Sequence, residues 1–456
     1  MPGADQLATR PRETTVPLTS RRPPFATLLT GSALAAAATL ALAPAAQAAE
    51  QPSATTSAAY LAAQLGANDD RLSVSYGDQS YDDPGVTIDA ILAMQATGTA
   101  GDQSQASTDY VLGAAGTYTG SAGDELYVGA TGKLLTLTAS RGLGGTVGGT
   151  DYLGALQARE QASGQFTDDS QYGDYSNTLG QSFSIIGLER HGVDVSDEAV
   201  DFLLTRQCAD GGFALENAGA CTSDPDATSV AVQALSGAGG QDAAITEAVD
   251  YLQARQGGDG GVGGGTSTSE ENSNSTGLAA VAFRLAGRTD ALTSARGFLD
   301  SVRLGCESPD VAGALAYTPA DAAAADASTQ PSDQLNRSTA QALLGSTDVS
   351  YLDVTSDGAA AAPVALDCAD EPTPGDPSTT DPSTTDPSDE PSTSTTTVTA
   401  TARPTTPGQE PTRPEVVQTD DARDGGLGAA GWVGAGLLAL VGAGAVMGSR
   451  RRGAHR

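Results

Sequence analysis

The stretch from Phe202 to Gly239, FLLTRQCADGGFALENAGACTSDPDATSVAVQALSGAG, decides the fold of this chain. It predicts a helix, a glycine-rich turn, a polar loop bounded by two cysteines, and a second helix. Gln207 and the turn Asp210-Gly211-Gly212 return 49 residues later as Gln256 and Asp259-Gly260-Gly261. A period of this length is typical of proteins built from repeated helix pairs.

Six aromatic-aliphatic pairs mark the first helices of six such repeats. They are Tyr60-Leu61, Tyr110-Val111, Tyr152-Leu153, Phe202-Leu203, Tyr251-Leu252 and Phe298-Leu299. An apolar segment follows each pair and predicts a second helix that stops near a glycine, because glycine readily takes the left-handed conformation. The glycines are Gly98, Gly142, Gly192, Gly239, Gly287 and Gly345.

The second helices carry Ala, Val and Leu on most faces, whereas the first helices carry charge on one side. Six pairs of this kind bury their apolar faces when they close into two concentric rings. The sequence therefore predicts an all-α fold, six helix-pair repeats closing into an α/α toroid (α6/α6 barrel), over residues 49–370. An open solenoid of the same repeats is the competing geometry.

The Gln-x-x-Asp-Gly-Gly-Phe turn and the run Asp224-Pro225-Asp226-Ala227-Thr228 that opens the next helix resemble the prenyltransferase and squalene-oxidase repeat. That terpenoid cyclase-like α/α-toroid superfamily includes triterpene cyclases, protein prenyltransferases and the barrel domain of vitamin B12 carriers. The resemblance covers roughly residues 57–350. It implies the fold and leaves the activity open, because one fold serves many functions.

Residues 1–48 are typical of a signal peptide, with Arg21-Arg22, an apolar run, and the cleavage pattern Ala46-Gln47-Ala48. Export leads to an oxidising compartment, where cysteines pair. We therefore expect two disulfides, Cys208–Cys221 and Cys306–Cys368.

The composition changes after the repeats. Residues 371–426, rich in Pro, Ser, Thr and Asp, predict a disordered stalk. Residues 427–449 predict one transmembrane helix, and the basic residues 450–456 a cytoplasmic tail. Together they resemble the surface anchor of Gram-positive wall proteins, although the Leu-Pro-x-Thr-Gly cleavage site of that family is missing. We expect a membrane-anchored cell-surface protein.

The formal net charge of −33 repels nucleic acid, so we expect no nucleic-acid partner. A protein prenyltransferase needs a zinc site built from Asp, Cys and His. His191 is the only histidine before the stalk, and the cysteines are better explained as disulfides. We therefore expect no metal and no cofactor.

Asp224 and Asp226 are weak candidates for catalysis. In triterpene cyclases, an Asp-x-Asp-Asp run at this helix start supplies the acid that protonates an alkene, but here Ala227 replaces the last acid. Carbocations also need aromatic faces for cation–π stabilisation, and the only tryptophan, Trp432, lies in the apolar span. We interpret Asp226 as a cap at the helix N-terminus.

Acids on the predicted loop side could also serve a glycan hydrolase or lyase, or bind Ca²⁺. They are Asp82, Asp83, Asp168, Asp169, Asp174, Glu216, Glu270 and Glu271. In so acidic a chain, composition explains most of them, and no EF-hand spacing is present. The aromatic residues available for stacking on sugars are Tyr76, Tyr81, Tyr172 and Tyr175.

Polar residues in the loops before the second helices predict a binding site at one mouth of the central cavity. They are Tyr81, Asp83, Tyr175, Asn177, Asp224, Asp226, Asn274 and Asn336. Such a set suits a polar small molecule, a glycan or the surface of a partner protein. The sequence therefore favours non-catalytic ligand binding or adhesion. The alternative is an extracellular enzyme acting on an isoprenoid or a glycan.

Overall fold

The computed structural model describes residues 53–76, 79–121, 125–265 and 269–368. The predicted signal peptide, stalk, transmembrane helix and basic tail lie outside the described residues. Within these ranges, no helix is both long and apolar enough to span a bilayer.

Thirteen α-helices occupy the described part of the chain. In order they are α1 (Ala54–Ala67), α2 (Pro84–Thr97), α3 (Gly101–Thr119), α4 (Val128–Ser140), α5 (Tyr152–Gln157), α6 (Thr178–Arg190), α7 (Asp197–Leu204), α8 (Pro225–Ala238), α9 (Asp242–Ala254), α10 (Ser273–Leu285), α11 (Thr289–Ser301), α12 (Pro319–Ala324) and α13 (Asp333–Ala342). Short 3₁₀ turns lie at Pro309–Val311 and Leu343–Ser346.

The helices form two layers. Helices α2, α4, α6, α8, α10 and α13 contact one another in that order, and α13 returns to α2, which closes an inner ring. Helices α1, α3, α5, α7, α9 and α11 pack outside this ring and contain the six aromatic-aliphatic pairs. These contacts are those that six closed helix pairs require, and an open solenoid would lack the return from α13 to α2.

Three antiparallel hairpins in the described ranges depart from the all-α prediction. They are β1 (Ser73–Tyr76) with β2 (Gln79–Asp82), β3 (Thr146–Val147) with β4 (Thr150–Asp151), and β5 (Phe213–Ala214) with β6 (Ser223–Asp224). In register, Val74 pairs with Tyr81, and Phe213 pairs with Asp224. Strands of two to four residues are too short to show a reliable alternation in sequence.

At five of the six predicted helix stops the glycine has a positive φ, although the ψ of 165° at Gly239 lies outside the left-handed helical region. Gly98, Gly142, Gly192, Gly239 and Gly287 all have φ between 64° and 73°. Gly345 does not stop a helix in this way, because it lies inside a 3₁₀ turn that packs on α10. A Cβ on Gly345 would lie 2.4 Å from the carbonyl oxygen of Gly277. Close approach of two backbones, and not a left-handed turn, explains this glycine.

The repeated glutamine joins each turn to the next outer helix. The side-chain amide of Gln207 donates to the carbonyl oxygens of Gly211, at 2.9 Å, and of Ala244 in α9, at 2.8 Å. Gln256 makes the two equivalent hydrogen bonds at 3.0 and 2.9 Å, the second of them to α11. The 49-residue period therefore records a contact between neighbouring repeats.

One glycine in each of four turns presses against the backbone of the next outer helix. These glycines have φ between 83° and 94°, and an added Cβ would lie within 2.4 Å of a carbonyl oxygen in that helix; they are Gly164, Gly211, Gly260 and Gly313. Gly313 belongs to the last repeat, and its neighbour is Thr56 in α1. The hydroxyl of Ser57 also donates to the Gly313 carbonyl at 2.6 Å. The same contact that joins successive repeats thus joins the last repeat to the first.

Residues 347–362, which we call the strap, cross the C-terminal ends of the inner helices. Arg190, at the end of α6, donates to the carbonyl oxygen of Val354 at 2.6 Å. The N–H of Ser356 donates to the carbonyl of Ser140, at the end of α4, at 3.0 Å. The strap therefore satisfies helix carbonyls that would otherwise need water.

Both predicted disulfides are present, Cys208–Cys221 and Cys306–Cys368. The second joins residues 62 apart in sequence and follows directly after the strap. In the chain-entropy model, a loop of this length restrains the unfolded chain by about 4 kcal/mol. This disulfide holds the segment that follows the barrel against the barrel.

We expect Gly313→Ala to be strongly destabilising, because alanine must keep a positive φ and its Cβ must displace the Thr56 carbonyl. The φ costs about 1–3 kcal/mol, and the overpacking costs about another 1–3 kcal/mol. The control Gly192→Ala carries only the first cost, because nothing lies within 4 Å of its Cβ position. Urea unfolding of the two variants measures the difference, and equal losses would contradict the role given to Gly313.

Candidate functional site

Matching positions of the inner helices define layers along the axis of the ring. In α2, α6, α8 and α10 the fourth residue, and in α13 the seventh, accepts a hydrogen bond at 2.8–3.0 Å from a backbone N–H outside the helix; the acceptors are Thr87, Gln181, Thr228, Thr276 and Thr339. Two residues after Thr87, Gln181 and Thr339 lie Asp89, Phe183 and Gln341, whose side chains meet around Lys133 of α4 or contact one another. We call Asp89, Lys133, Phe183 and Gln341 the axial layer.

An ion pair is the centre of the axial layer. Lys133 Nζ lies 2.6 Å from Asp89 Oδ1, and both side chains are only 3% exposed. Lys133 also lies 5.6 Å from the centroid of the Phe183 ring. The amide of Gln341 donates to Asp89 Oδ2 at 3.3 Å, and its oxygen accepts from the Asn274 amide at 2.7 Å. These contacts compensate two charges that would be costly to bury alone.

Lys133 is the only lysine among 456 residues, while 22 arginines supply the other side-chain cations. An ammonium group is compact, whereas a guanidinium is a wide planar fork. The axial layer is therefore the one place where this chain uses the smaller cation. Sequence reasoning missed Asp89 and Lys133, although each is a single charge within an otherwise apolar helix segment.

Tyr351 of the strap enters the ring from the C-terminal side. Its N–H donates to the side-chain oxygen of Gln233 at 3.0 Å, and its ring centroid lies 5.3 Å from that of Phe183. Burial raises the pKa of Tyr351 well above its ordinary value, and the charges of Asp89 and Asp226 add to the effect. Tyr351 therefore closes the axis above the axial layer.

Desolvation also has the largest effect on the pKa of Asp89, the carboxyl of the axial pair. Burial raises the pKa of Asp89 and outweighs the opposing attraction of Lys133. Burial raises the pKa of Tyr118 as well, with further contributions from the carboxylates of Asp89 and Asp83. The axial groups are thus close enough to influence one another in a solvent-excluded space.

Three of the predicted binding residues are N-caps at the N-terminal rim. Asp83 accepts from the Val86 N–H at 2.9 Å, and Asn177 accepts from the Gly180 N–H at 2.9 Å. Asp224 accepts from two backbone N–H groups of α8, both at 3.0 Å. These side chains stabilise helix starts, which leaves them less capacity for a ligand.

The interpretation of Asp226 as a helix cap is wrong. Asp224 is the N-cap of α8, because its side chain reaches the N–H groups of Asp226 and Ala227. Pro225 occupies the first helical position, where its missing N–H is harmless. Asp226 is only 1% exposed and lies near enough to Tyr351 to raise the pKa of that tyrosine.

The other predicted binding residues fall in separate places. Asn274 joins Gln341 at the axis. The Asn336 side-chain oxygen accepts from the Tyr60 hydroxyl at 2.7 Å, between the inner and outer layers. Tyr81 lies in β2, and Tyr175 lies half-buried in the loop before α6. The predicted set therefore divides among rim, axis and layer interface, and does not form one site.

The loop acids also have local partners. Asp168 accepts from the Val128 N–H at 2.9 Å at the start of α4, and burial raises its pKa to about 6. Asp169 pairs with Arg159 at 3.0 Å. Among the described residues, no three His, Cys, Asp or Glu side chains group in a way that could hold a metal ion.

Two large side chains are exposed at the N-terminal rim, Tyr76 at 51% and Tyr172 at 39%. Tyr76 lies in the β1–β2 hairpin, with its ring centroid 6.2 Å from that of Tyr81. Tyr172 lies in the loop before α6. The rim thus presents aromatic faces to solvent, while the axis below it is closed.

A surface pocket of about 670 Å³ lies at the opposite end, between α6, α7 and α8. Its acidic lining residues are Glu189, Asp194, Asp197 and Asp201. Burial raises the pKa of Glu189 to about 7. The carboxylate packs so closely on α8 that a Cβ at Gly237 would lie 1.9 Å from its oxygen.

No protein-family model matches the chain, and no curated protein sequence matches it. Several solved structures are similar. A protein from Actinoplanes has 17% identity and a TM-score of 0.48, covering 64% of this chain and 98% of its own. The type II terpene cyclase MstE from Scytonema has 13% identity and a TM-score of 0.47, with 64% and 96% covered. An ent-copalyl diphosphate synthase from Streptomyces platensis has 18% identity and a TM-score of 0.37, with 57% and 51% covered.

All three TM-scores are below 0.5, so the architecture rests on the helix contacts of this chain itself.

We expect Lys133→Met to lower the free energy of unfolding by about 3–5 kcal/mol, because it leaves the Asp89 carboxyl buried without its partner. The double variant Asp89→Leu/Lys133→Met removes both charges and should be more stable than Lys133→Met. Urea denaturation at pH 7 compares the two. If Lys133→Met were as stable as the native chain, the stabilising role given to the buried pair would be wrong.

The raised pKa of Glu189 predicts that the stability of the fold depends on pH. Its pKa is raised to about 7 in the folded chain, against about 4.3 when unfolded. The folded form therefore holds a proton that the unfolded form has lost, and this contribution to stability falls as pH rises between these values. Glu189→Gln should gain in melting temperature relative to the native chain from pH 4 to pH 7. If the melting temperatures of the two proteins changed with pH in parallel, this prediction would be wrong.

Proposed function

We propose that this chain is a non-catalytic binding protein that takes a hydroxyl-rich polar ligand, such as a glycan, at the N-terminal rim of the ring. The observation that carries the proposal is the closed axis. Asp89, Lys133 and Tyr351 meet there, and each is at most 4% exposed. Catalysis on an isoprenoid would need an open apolar cavity at this place, and a buried ion pair is poorly suited to it.

The rim has the groups that a glycan site uses. Tyr76 and Tyr172 offer exposed ring faces for sugar rings, and tyrosine gives a large contact at low cost in conformational entropy. Asp169 and Glu216 are exposed in the loops of the same rim. Ionised carboxylates accept hydrogen bonds from sugar hydroxyls. Exposed aromatic rings and carboxylates in the loops of one rim therefore favour a neutral, hydroxylated ligand.

We place this protein outside the cytoplasm and at the cell surface. The sequence patterns of residues 1–48 and 427–456, which lie outside the described residues, motivate export and membrane anchoring. The disulfides Cys208–Cys221 and Cys306–Cys368 support an oxidising compartment. On a stalk at the cell surface, glycan binding at the rim would serve adhesion.

The alternative is an extracellular enzyme acting on an isoprenoid or a glycan. Asp226 would then be the acid, but it is only 1% exposed. Cyclisation of squalene or a shorter polyprene, lost in Asp226→Asn while the helical signal persists, would favour this alternative over binding.

Titration calorimetry with cellohexaose, chitohexaose and maltohexaose tests the proposed binding. We expect one of these probes to bind, and Tyr76→Ala or Tyr172→Ala to weaken binding about tenfold, the effect of losing roughly 1.4 kcal/mol at a contact residue. Leu143→Ala is the matched control, because Leu143 is 43% exposed but follows the C-terminal end of α4. Binding that Leu143→Ala weakens equally, or binding to none of the three, would contradict the rim site.

A further inference from the structure

The buried pair of the axial layer has the geometry of two groups ready to react. Lys133 Nζ lies 2.6 Å from Asp89 Oδ1, with both side chains shielded from water. No other lysine exists in the chain to compete for a carboxyl group. We propose that Lys133 and Asp89 condense into an isopeptide bond, which joins Lys133 Nζ to Asp89 Cγ and cross-links helices α2 and α4.

The step balances without any oxidant or co-reactant. Proton transfer within the ion pair gives a neutral amine and a neutral carboxylic acid. The amine lone pair attacks Asp89 Cγ, and the N–C bond forms as one C–O bond breaks. The leaving oxygen departs as water with the carboxyl proton and one amine proton. The product is a secondary amide that keeps one hydrogen on Lys133 Nζ.

Burial favours this condensation because it destabilises the charged reactants. Each ion held out of water costs several kcal/mol, and their mutual attraction offsets this cost only in part. A neutral amide carries no such penalty, and the released water molecule enters the bulk solvent. The same burial raises the pKa of Asp89, which favours the neutral acid that an amine can attack.

The neighbours of the pair are suited to this step. Gln341 donates to Asp89 Oδ2 at 3.3 Å, which orients the carboxyl and polarises its C–O bond. The Tyr118 hydroxyl is buried, lies near enough to Asp89 to respond to its charge, and has no hydrogen-bond partner within the described ranges. In this proposal its hydroxyl carries a proton to the departing oxygen. Phe183 and Tyr351 exclude water that would reverse the reaction.

The single lysine makes the test unambiguous. A lysine-specific endoproteinase acting on the reduced, denatured full chain has one possible site, after Lys133, and recognises only a free ε-amine. With the predicted signal peptide removed, we expect the purified chain to stay uncut and its intact mass to be lower than the calculated mass by one water molecule. Cleavage into residues 49–133 and 134–456, with the full calculated mass, would overturn the proposal.

Two variants control the experiment. Asp89→Ala cannot form the bond, so its denatured chain should be cut after Lys133 and should show its full calculated mass. Arg141→Lys adds a site outside the cross-link and should be cut there, which verifies the protease. A chain that resists cleavage and lacks one water even as Asp89→Ala would place the modification on another carboxyl, and would also overturn the proposal. Because every digest uses denatured protein, a folding defect in a variant does not affect the result.

Discussion

The contact between Gly313 and Thr56 is the constraint on which the rest of the structure depends. It repeats between the last and first repeats the contact that Gly164, Gly211 and Gly260 make with the outer helices that follow them. Only a residue without a Cβ fits these positions, because a carbonyl oxygen lies within 2.4 Å. The same turn geometry recurs at the seam, where the last repeat meets the first, and it closes the ring.

Closure creates an interior that no isolated repeat possesses. Asp89 and Gln341 come from the two helices that meet at the seam, while Lys133 belongs to the next helix in the ring. Each group by itself would be an uncompensated polar atom in an apolar helix. Ring closure brings them together, and the strap then covers them with Tyr351, which contacts Gln233 and Phe183.

The closed axis also bears on the two acids at the start of α8. These two acids differ in their surroundings. Asp224 caps the helix, whereas the Asp226 side chain is buried. Tyr76 and Tyr172 are exposed at the rim. In the function that we propose, the loops of the rim meet the ligand, and the helices hold these loops.

The sequence alone determined the repeats, the six helix pairs, five of the six glycine stops and both disulfides. The repeats, helices and stops depend on residues close in the chain, and the disulfides depend on the small number of cysteines that can pair. It did not reveal the Asp89–Lys133 pair, the use of Gly345 for close packing, or the place of Asp226. These depend on which helix faces meet across the ring, and a local pattern holds no information on that. The strap is the clearest case: Tyr351 lies in a stretch without periodicity, and only the closed ring provides the cavity that buries it.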